Sequence, residues 1–415
     1  MNKNWIDEIV EECDAVETPR SWLFWSLVCA ISAAAGNNYH LKAVQGKVTY
    51  KPNLFVILLG ESGLGKGFGI NLSKKLVDLA DVTRVFSGTS SIQGIIEELG
   101  QTASRNGKEP ILDSRCFLVA GELSTALITD QLSLTTMTDL YDGHWNEKWA
   151  KVLKAGKVKL KEPYVTWLAG SSPSHFYDSI PQVNIEGGLI GRTLTVVEDK
   201  RAKDTDLLDD DDNIKDFPFE KYVTHLELIN RGSGRFIPSD DAKNMFNSWR
   251  KEWRENQEQD VTGFLNRVPD HVLKVAMCLS LAEPTISLMI NTDHIIQSID
   301  RVTKLVYSNK KVSKGVGPDP TAPQSKMVID FLLQAEGNRL FRKQLLNKGY
   351  GHYNSQTLDQ IINDLIELGW VQRERYIAGP KTDWIIQLIG RPLADYKEFV
   401  TGREETQMKV FKMRV

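Results

Sequence analysis

The stretch LFVILLGESGLGKGFG, Leu54–Gly69, carries the clearest indication of fold in the chain. It opens with a continuous apolar run, which is typical of a central strand covered on both faces. The glycine-rich loop that follows matches the phosphate-binding pattern G-x-x-x-x-G-K-[ST], except that Gly67 stands where Ser or Thr is expected. Such a loop aims backbone N–H groups at phosphate oxygens, and Lys66 adds a positive charge. We therefore predict a nucleotide-binding loop of eight residues: Gly60, Glu61, Ser62, Gly63, Leu64, Gly65, Lys66 and Gly67.

The overall composition is that of a globular protein with several domains. The chain has 415 residues and a formal net charge of -3 at pH 7. A chain of this length suggests two or three domains. The net charge provides no general attraction to nucleic acid, so any such binding must come from local patches.

Cysteine usage and hydropathy indicate the compartment. The four cysteines, at positions 13, 29, 116 and 278, show neither C-x-x-C pairs nor metal-ligand spacing. We therefore expect reduced thiols in a cytoplasmic protein. The most apolar early segment, Ser21–Gly36, is too short to span a bilayer comfortably, so we expect a buried helix and no membrane association.

Strong apolar strands alternate with helical segments in the first half of the chain. This alternation predicts an α/β fold with a parallel sheet. The four strongest strands are LFVILLG (54–60), RCFLVAGEL (115–123), YVTWLAGSS (164–172) and RTLTVVED (192–199).

The composition also predicts domain boundaries. We expect an N-terminal helical segment at 1–50, a P-loop ATPase core at 51–218 with a basic hairpin insert at about 146–163, and a helical lid at 219–312. A Gly-, Pro- and Lys-rich linker follows at 313–324. Three helices and two strands at 325–390 have the order of a winged helix, and 391–415 is a polar tail.

An acidic residue follows the second strong strand. Glu122 lies at the carboxyl end of that strand, where it could activate a water molecule for attack on a phosphate. The alternative is a structural carboxylate at a helix N-terminus. The residue before it is Gly121 where Asp is usual, so the chain offers no dedicated metal ligand at either position. Mg²⁺ keeps several waters in such sites, so phosphate oxygens and water could hold it.

Polar residues flank the next two strands. Ser171 and Ser172 end the third strand, where a hydroxyl could meet a phosphate or the attacking water, although Ser before Pro is also ordinary turn chemistry. Arg192 directly precedes the fourth strand. It could reach the γ-phosphate of a neighbouring subunit as an arginine finger, or it could be an ordinary surface residue.

The motifs occur in the order phosphate loop, FLVAGEL, LYDG, basic hairpin, WLAGSSP, GGLIGR. This order resembles the P-loop ATPases that phages and mobile elements encode as replicative helicases, and more broadly the AAA+ helicases of the MCM and superfamily 3 type. The likeness covers roughly residues 15–310. It implies ATP and Mg²⁺ as cofactors, a ring that is usually a hexamer, and Arg192 acting between subunits. It also implies a second basic sensor on a lid helix, for which Lys274 is the better candidate and Arg267 the other.

A run of lysines lies between the acidic strand and the WLAGSS strand. In the family that the chain resembles, a hairpin at this place points into the central channel of the ring and grips single-stranded DNA. Lysines on a hairpin give phosphate contacts that do not depend on base sequence. The alternative is a solvated hairpin with no ligand. The predicted DNA contacts are Lys151, Lys154, Lys157 and Lys159.

Three functions remain open from the sequence. The first is a ring-forming ATPase that translocates on or unwinds DNA in phage or mobile-element replication. The second is an ATP-binding scaffold or helicase loader with little hydrolysis, which the altered positions 67 and 121 favour. The third is a nucleotide-dependent defence or regulatory ATPase. The winged helix could bind DNA or a replication partner protein, because its predicted recognition helix is acidic.

Overall fold

The fold is taken from a computed structural model. It describes residues 3–87, 91–103, 111–123, 131–143, 148–153, 156–173, 175–176, 188–205, 217–257, 263–314, 322–378 and 381–390. Internal contacts divide the chain into two units, Met1–Ser313 and Lys314–Val415, and each is considered by itself.

The first unit combines helices with short and long strands. Its described strands are β1 Tyr39–Ala43, β2 Val48–Tyr50, β3 Phe55–Leu59, β4 Arg84–Ser87, β5 Thr102–Ala103, β6 Ile111–Leu112, β7 Arg115–Ala120, β8 Lys148–Leu153, β9 Gly156–Lys161, β10 Tyr164–Ser171, β11 Thr193–Val197, β12 Gly234–Pro238 and β13 Met289–Ile290. Its described helices are α1 Trp5–Glu12, α2 Arg20–Ala35, α3 Lys66–Ala80, α4 Ile92–Leu99, α5 Gln131–Asp142, α6 Phe219–Arg231, α7 Asp240–Glu255, α8 Phe264–Ala282 and α9 Thr292–Lys314.

Five parallel strands form the central sheet, in the order β11-β3-β10-β7-β4. Every residue of β3 and of β10 is buried, which explains why both strands are continuous apolar runs in the sequence. The register aligns Phe55 with both Thr193 and Trp167, so these three strands are level along the sheet. The predicted α/β class with a parallel sheet is confirmed.

Two helices lie close together beside this sheet. α2 is apolar on all sides and almost entirely buried, as expected of a core helix. It contacts α3 at Gly69, where an added Cβ would lie 3.0 Å from the hydroxyl of Ser26. The indole N–H of Trp22 donates a hydrogen bond to the carbonyl of Val196 at 3.0 Å and ties α2 to β11.

A second sheet has the order β13-β12-β1-β2. It differs from the expectation that residues 219–312 are helical throughout, because β12 and β13 interrupt the helices. The chain enters β12 at Gly234, whose φ is 152°, and then alternates: Phe236 is buried while Arg235 and Ile237 are exposed. This period-two pattern spans too few residues to stand out from the helical sequence around it.

The lysine-rich segment forms an antiparallel pair, β8 with β9, in which Lys148 pairs with Lys161 and Leu153 with Gly156. Positions 154 and 155, at the tip, lie outside the described residues.

The second unit is small and has its own core. Its elements after α9 are α10 Ala322–Gln334, β14 Arg339–Phe341, α11 Arg342–Lys348, α12 Ser355–Glu367, β15 Val371–Ala378 and β16 Lys381–Leu388. The three strands form an antiparallel sheet in the order β14-β16-β15. One face of α12 lies in the core of this unit and contributes Leu358, Ile361 and Leu365. A winged helix and an AAA+ fold stay predictions for this chain.

Among the described helices, none combines the length and the apolar character that a membrane span requires.

Candidate functional site

Three of the predicted site segments meet at one edge of the central sheet. Parallel strands all end at the same edge, here called the carboxyl edge. The phosphate loop follows β3 there, Ser171 ends β10, and Glu122 comes two residues after β7. Because β10 lies between β3 and β7, Ser171 lies between the loop and Glu122. The N–H of Gly60 donates to the carbonyl of Ser171 at 3.2 Å, which joins the two strand ends. Open α/β sheets bind their ligands at this edge.

The loop has the backbone conformation that its glycines permit. Gly63 and Gly65 have φ angles of 86° and 90°, a region that favours glycine. The hydroxyl of Thr18 donates to the carbonyl of Gly65 at 3.1 Å, and a Cβ on Gly65 would lie 2.6 Å from that hydroxyl. A Cβ on Gly60 would lie 2.8 Å from the ring of Trp22. The loop therefore packs against Thr18, just before α2, and against Trp22 in the first turn of α2.

Lys66 folds back over its own loop. Its ammonium donates to the carbonyl of Glu61 at 2.8 Å and also to the carbonyl of Gly60. The side chain is buried, and its nitrogen lies 5.7 Å from the centre of the Trp22 ring. Burial lowers the pKa of Lys66, while the negative charges of Glu122 and Glu61 oppose that shift. The amine therefore lies near enough to Glu122 to feel its charge, and phosphate oxygens could replace the two carbonyls as its partners.

Two positions depart from the usual motif: Gly67, where Ser or Thr is expected, and Gly121, where Asp is usual. A Cβ added to Gly67 or to Gly121 would meet no neighbouring atom of the described residues within 4 Å. Neither residue has a positive φ, so neither glycine is required by its backbone. Within the described part of the chain, no group of three or more His, Cys, Asp or Glu side chains is arranged to hold a metal ion.

The remaining residues at the carboxyl edge differ in exposure. Glu122 is exposed. Ser171 is buried and its hydroxyl donates to the carbonyl of Ser172 at 3.1 Å. Ser172 is half-buried, and its hydroxyl accepts from the N–H of His175 at 3.4 Å. Of the two serines, Ser172 is the more accessible to a ligand.

Arg192 and Lys274 lie at the opposite edge of the sheet, here called the amino edge. Arg192 immediately precedes β11, whose first residue pairs with Phe55 at the start of β3. The amine of Lys274 donates to the side-chain oxygen of Asn53, just before β3, at 2.7 Å. The five residues of β3 separate this edge from the phosphate loop by roughly 16 Å. Neither residue therefore lies beside Lys66 of its own chain.

Both residues line a cavity of about 230 Å³ at the amino edge, which we call the amino-edge pocket. The guanidinium of Arg192 makes a two-pronged ion pair with Asp142, with one bond at 2.9 Å, and donates to the carbonyl of Gly188 at 2.9 Å. Lys274 is buried against the ring of Tyr141, 3.8 Å from its centre. The charged side chains of the pocket are Lys51, Arg192, Arg267, Lys274, Asp142 and Asp270.

Burial shifts the pKa of two side chains on α8 beside this pocket. Burial lowers the pKa of Lys274 to about 7, with Asp270 and Asp142 opposing the shift. Burial also lowers the pKa of His271 to about 3, so His271 is neutral, and its Nε2 lies 3.1 Å from the carbonyl of Gly191. Through these two residues α8 contacts the chain on either side of the pocket, just before β3 and just before β11.

Sequence reasoning missed one cation beside the phosphate loop. Arg201 donates to a carboxylate oxygen of Glu17 at 2.6 Å and to the carbonyl of Gly63 at 3.4 Å. It belongs to a charge-rich segment after β11 that reads as solvated loop, and nothing local in the sequence links it to Gly63. Arg201, rather than Lys274, is the cation that the fold brings to the loop from the later part of the chain.

The predicted DNA contacts lie on the β8–β9 hairpin. Lys151 is on β8, and Lys157 and Lys159 are on β9, with Lys151 paired to Val158. Lys159 is exposed. Lys154 lies outside the described residues.

Comparison with models of known protein families gives no match for this chain, and comparison with curated proteins gives none either.

Proposed function

We propose that the chain is an ATPase that binds ATP and Mg²⁺ at the loop 60–67 and hydrolyses ATP between copies of itself in a ring. The resemblance noted above suggests six copies. ATP turnover would drive translocation on single-stranded DNA, or its unwinding, in phage or mobile-element replication.

The observation that carries the proposal is the meeting of the phosphate loop, Ser171 and Glu122 at neighbouring strand ends. Lys66 would bind the β- and γ-phosphates and Glu122 would activate the attacking water. Ser171 and Ser172 lie where a hydroxyl could orient that water.

The opposite edge supports the idea of a shared site. Arg192 and Lys274 lie roughly 16 Å from the loop of their own chain, by the length of β3. In a head-to-tail ring, the amino edge of one copy can face the carboxyl edge of the next. Arg192 would then stabilise the charge that develops on the γ-phosphate of the neighbour.

The DNA contact is proposed for the basic hairpin. Lys159 is exposed and lies on the same strand as Lys157. Phosphate contacts by such lysines are electrostatic, so binding would weaken steeply as salt is added.

A second candidate is an ATP-binding scaffold or helicase loader with little hydrolysis. The observation that favours it is the lack of a side chain at both Gly67 and Gly121, where metal handling is usually supported. Tight ATP binding with a hydrolysis rate near background, in the presence of DNA and Mg²⁺, would support this candidate.

Steady-state ATP hydrolysis by the full chain, with and without single-stranded DNA, tests the main proposal. Lys66→Ala and Arg192→Ala should each lower the DNA-stimulated rate by about 10³-fold, because each removes a positive charge that stabilises the transition state. The exposed residues Lys251 and Arg235 provide matched controls, and their alanine variants should retain the wild-type rate. Undiminished hydrolysis in both test variants would refute the proposal.

A further inference from the structure

The amino-edge pocket has more positive than negative charge. Among the described residues, four cationic side chains and two carboxylates line it, which gives a surplus of two positive charges when Lys274 is protonated. Asp270 accepts a hydrogen bond from the hydroxyl of Tyr50 at 2.8 Å, and Asp142 is paired with Arg192. Lys274 donates to the backbone and side-chain oxygens of Asn53, which carry no charge. The pocket is therefore suited to an anion.

Asp142 occupies the position in front of Arg192 where such an anion would bind. A guanidinium presents the same two-pronged donor set to a carboxylate and to a phosphate. The two partners differ in exposure: the Arg192 side chain is 13% exposed and that of Asp142 is 56% exposed. Asp142 can therefore return to water at little cost, whereas Arg192 remains held by the carbonyl of Gly188.

Asp142 lies at the end of a helix that is held in place. It is the last residue of α5, and Gly143, whose φ is 63°, follows it. The side chain of Asn53 donates to the carbonyl of the preceding residue, Tyr141, at 2.8 Å. The Asp142 carboxylate can therefore leave Arg192 without displacing the helix that carries it.

We propose that Asp142 acts as a displaceable stand-in for phosphate: it holds the guanidinium of Arg192 in place until a phosphate group on the nucleotide of a neighbouring copy replaces it there. This inference rests on the proposed function for the source of the phosphate. The anion-binding property of the amino-edge pocket does not depend on it. Asp142 is thus a positioning residue rather than a catalytic one.

Inorganic pyrophosphate tests the pocket without the phosphate loop. The full chain carrying Lys66→Ala is titrated with pyrophosphate by calorimetry, alone and combined with Asp142→Asn, Asp142→Glu or Arg192→Gln. Removing the competing charge should tighten binding about fivefold in Asp142→Asn, which corresponds to about 1 kcal/mol. Asp142→Glu should stay near the parent value, and Arg192→Gln should abolish binding.

Asp139 provides the matched control, because it is an exposed carboxylate on the same helix. Asp139→Asn should leave pyrophosphate affinity unchanged. Equal affinity in the parent and in Asp142→Asn, with both folded by thermal melting, would overturn the proposal. So would the absence of any pyrophosphate binding to the parent.

ATP-dependent assembly tests the source of the phosphate. Mass measurement with a non-hydrolysable ATP analogue should show that Asp142→Asn with Lys66 intact assembles at about a fifth of the analogue concentration that the wild type needs, in line with the fivefold gain above. Tighter pyrophosphate binding without any ATP-dependent assembly would refute the neighbouring nucleotide as the source. If the chain hydrolyses ATP but Asp142→Asn binds pyrophosphate no more tightly than the parent, the role of Asp142 is refuted and the proposed ATPase stands.

Discussion

Gly67 and Gly121 are the two residues that separate this site from an ordinary phosphate-loop site. Both have room for a side chain, since a Cβ at either position meets no neighbouring atom within 4 Å in the part of the chain that the structure describes. Packing therefore does not require glycine at either position. The local structure permits the missing groups to be restored by substitution.

We predict that Gly67→Thr combined with Gly121→Asp lowers the Mg²⁺ concentration that half-saturates ATP hydrolysis. The hydroxyl would ligate the ion and the carboxylate would orient its water, and a gain of about 1 kcal/mol corresponds to about fivefold. Gly67→Val combined with Gly121→Asn is the matched control, since Val and Asn have nearly the shapes of Thr and Asp without the hydroxyl or the charge. An unchanged Mg²⁺ dependence in the test variant would contradict this view of the site.

Lys274 predicts a specific dependence of stability on pH. Burial lowers its pKa to about 7 in the folded chain, whereas an unfolded lysine titrates near 10.5. Below pH 7 both states are charged and the cost of burying the ammonium is fully present. Between these two values the unfolded state holds the extra proton, so the wild type gains stability as pH rises, by up to about 1.4 kcal/mol per pH unit.

Urea unfolding of wild type and Lys274→Met between pH 6 and pH 9 measures this effect. The difference in unfolding free energy should change in favour of the wild type above pH 7 and stay flat below it. Lys243→Met, at an exposed position on α7, should show no such slope. Parallel pH profiles for wild type and Lys274→Met would show that Lys274 keeps an ordinary pKa.

At the scale of elements, strands that are continuous apolar runs are predictable from sequence because both of their faces are buried. β3 and β10 belong to this class. β12 and β13 are not predictable in the same way, because they are short and lie among helices. The pairing of β12 with β1 depends on contacts between residues nearly 200 positions apart, such as Tyr39 with Gly234.

The candidate site likewise has one part that is predictable from sequence and one part that is not. The loop, Glu122 and the serines were predictable because each directly follows or ends a strong strand of the same parallel sheet. The neighbourhood of Lys274 was not, because it depends on how α8 packs against the start of β3. The ion pair between Arg192 and Asp142 joins residues 50 positions apart and has no local signature.

The hairpin gives a prediction that belongs to the element as a whole. Lys157→Ala combined with Lys159→Ala should weaken binding to single-stranded DNA and reduce the salt slope by about 0.7 for each phosphate that the hairpin no longer neutralises. Fluorescence anisotropy of labelled DNA over a range of salt concentrations measures both quantities. Lys251→Ala combined with Lys243→Ala, on α7, is the matched control and should leave the slope unchanged. A lower affinity with an unaltered slope would show that the hairpin does not contact phosphates.

At the scale of the whole molecule, the chain carries two charged sites on opposite edges of one sheet. The carboxyl edge has the phosphate loop, and the amino edge has Arg192 in the amino-edge pocket. A single chain cannot bring Arg192 to its own Lys66, because the length of β3 lies between them. Under the proposed function, one copy must therefore complete the site of the next.

A mixing experiment tests this requirement most directly. Lys66→Ala and Arg192→Ala chains, each inactive alone, are mixed in equal amounts and assayed for DNA-stimulated ATP hydrolysis. Random assembly in a head-to-tail ring gives about a quarter of the interfaces an intact Lys66 from one chain and an intact Arg192 from the other, so about a quarter of the wild-type activity should return. Failure of the mixture to regain activity, with both variants shown to enter the same rings, would contradict the account.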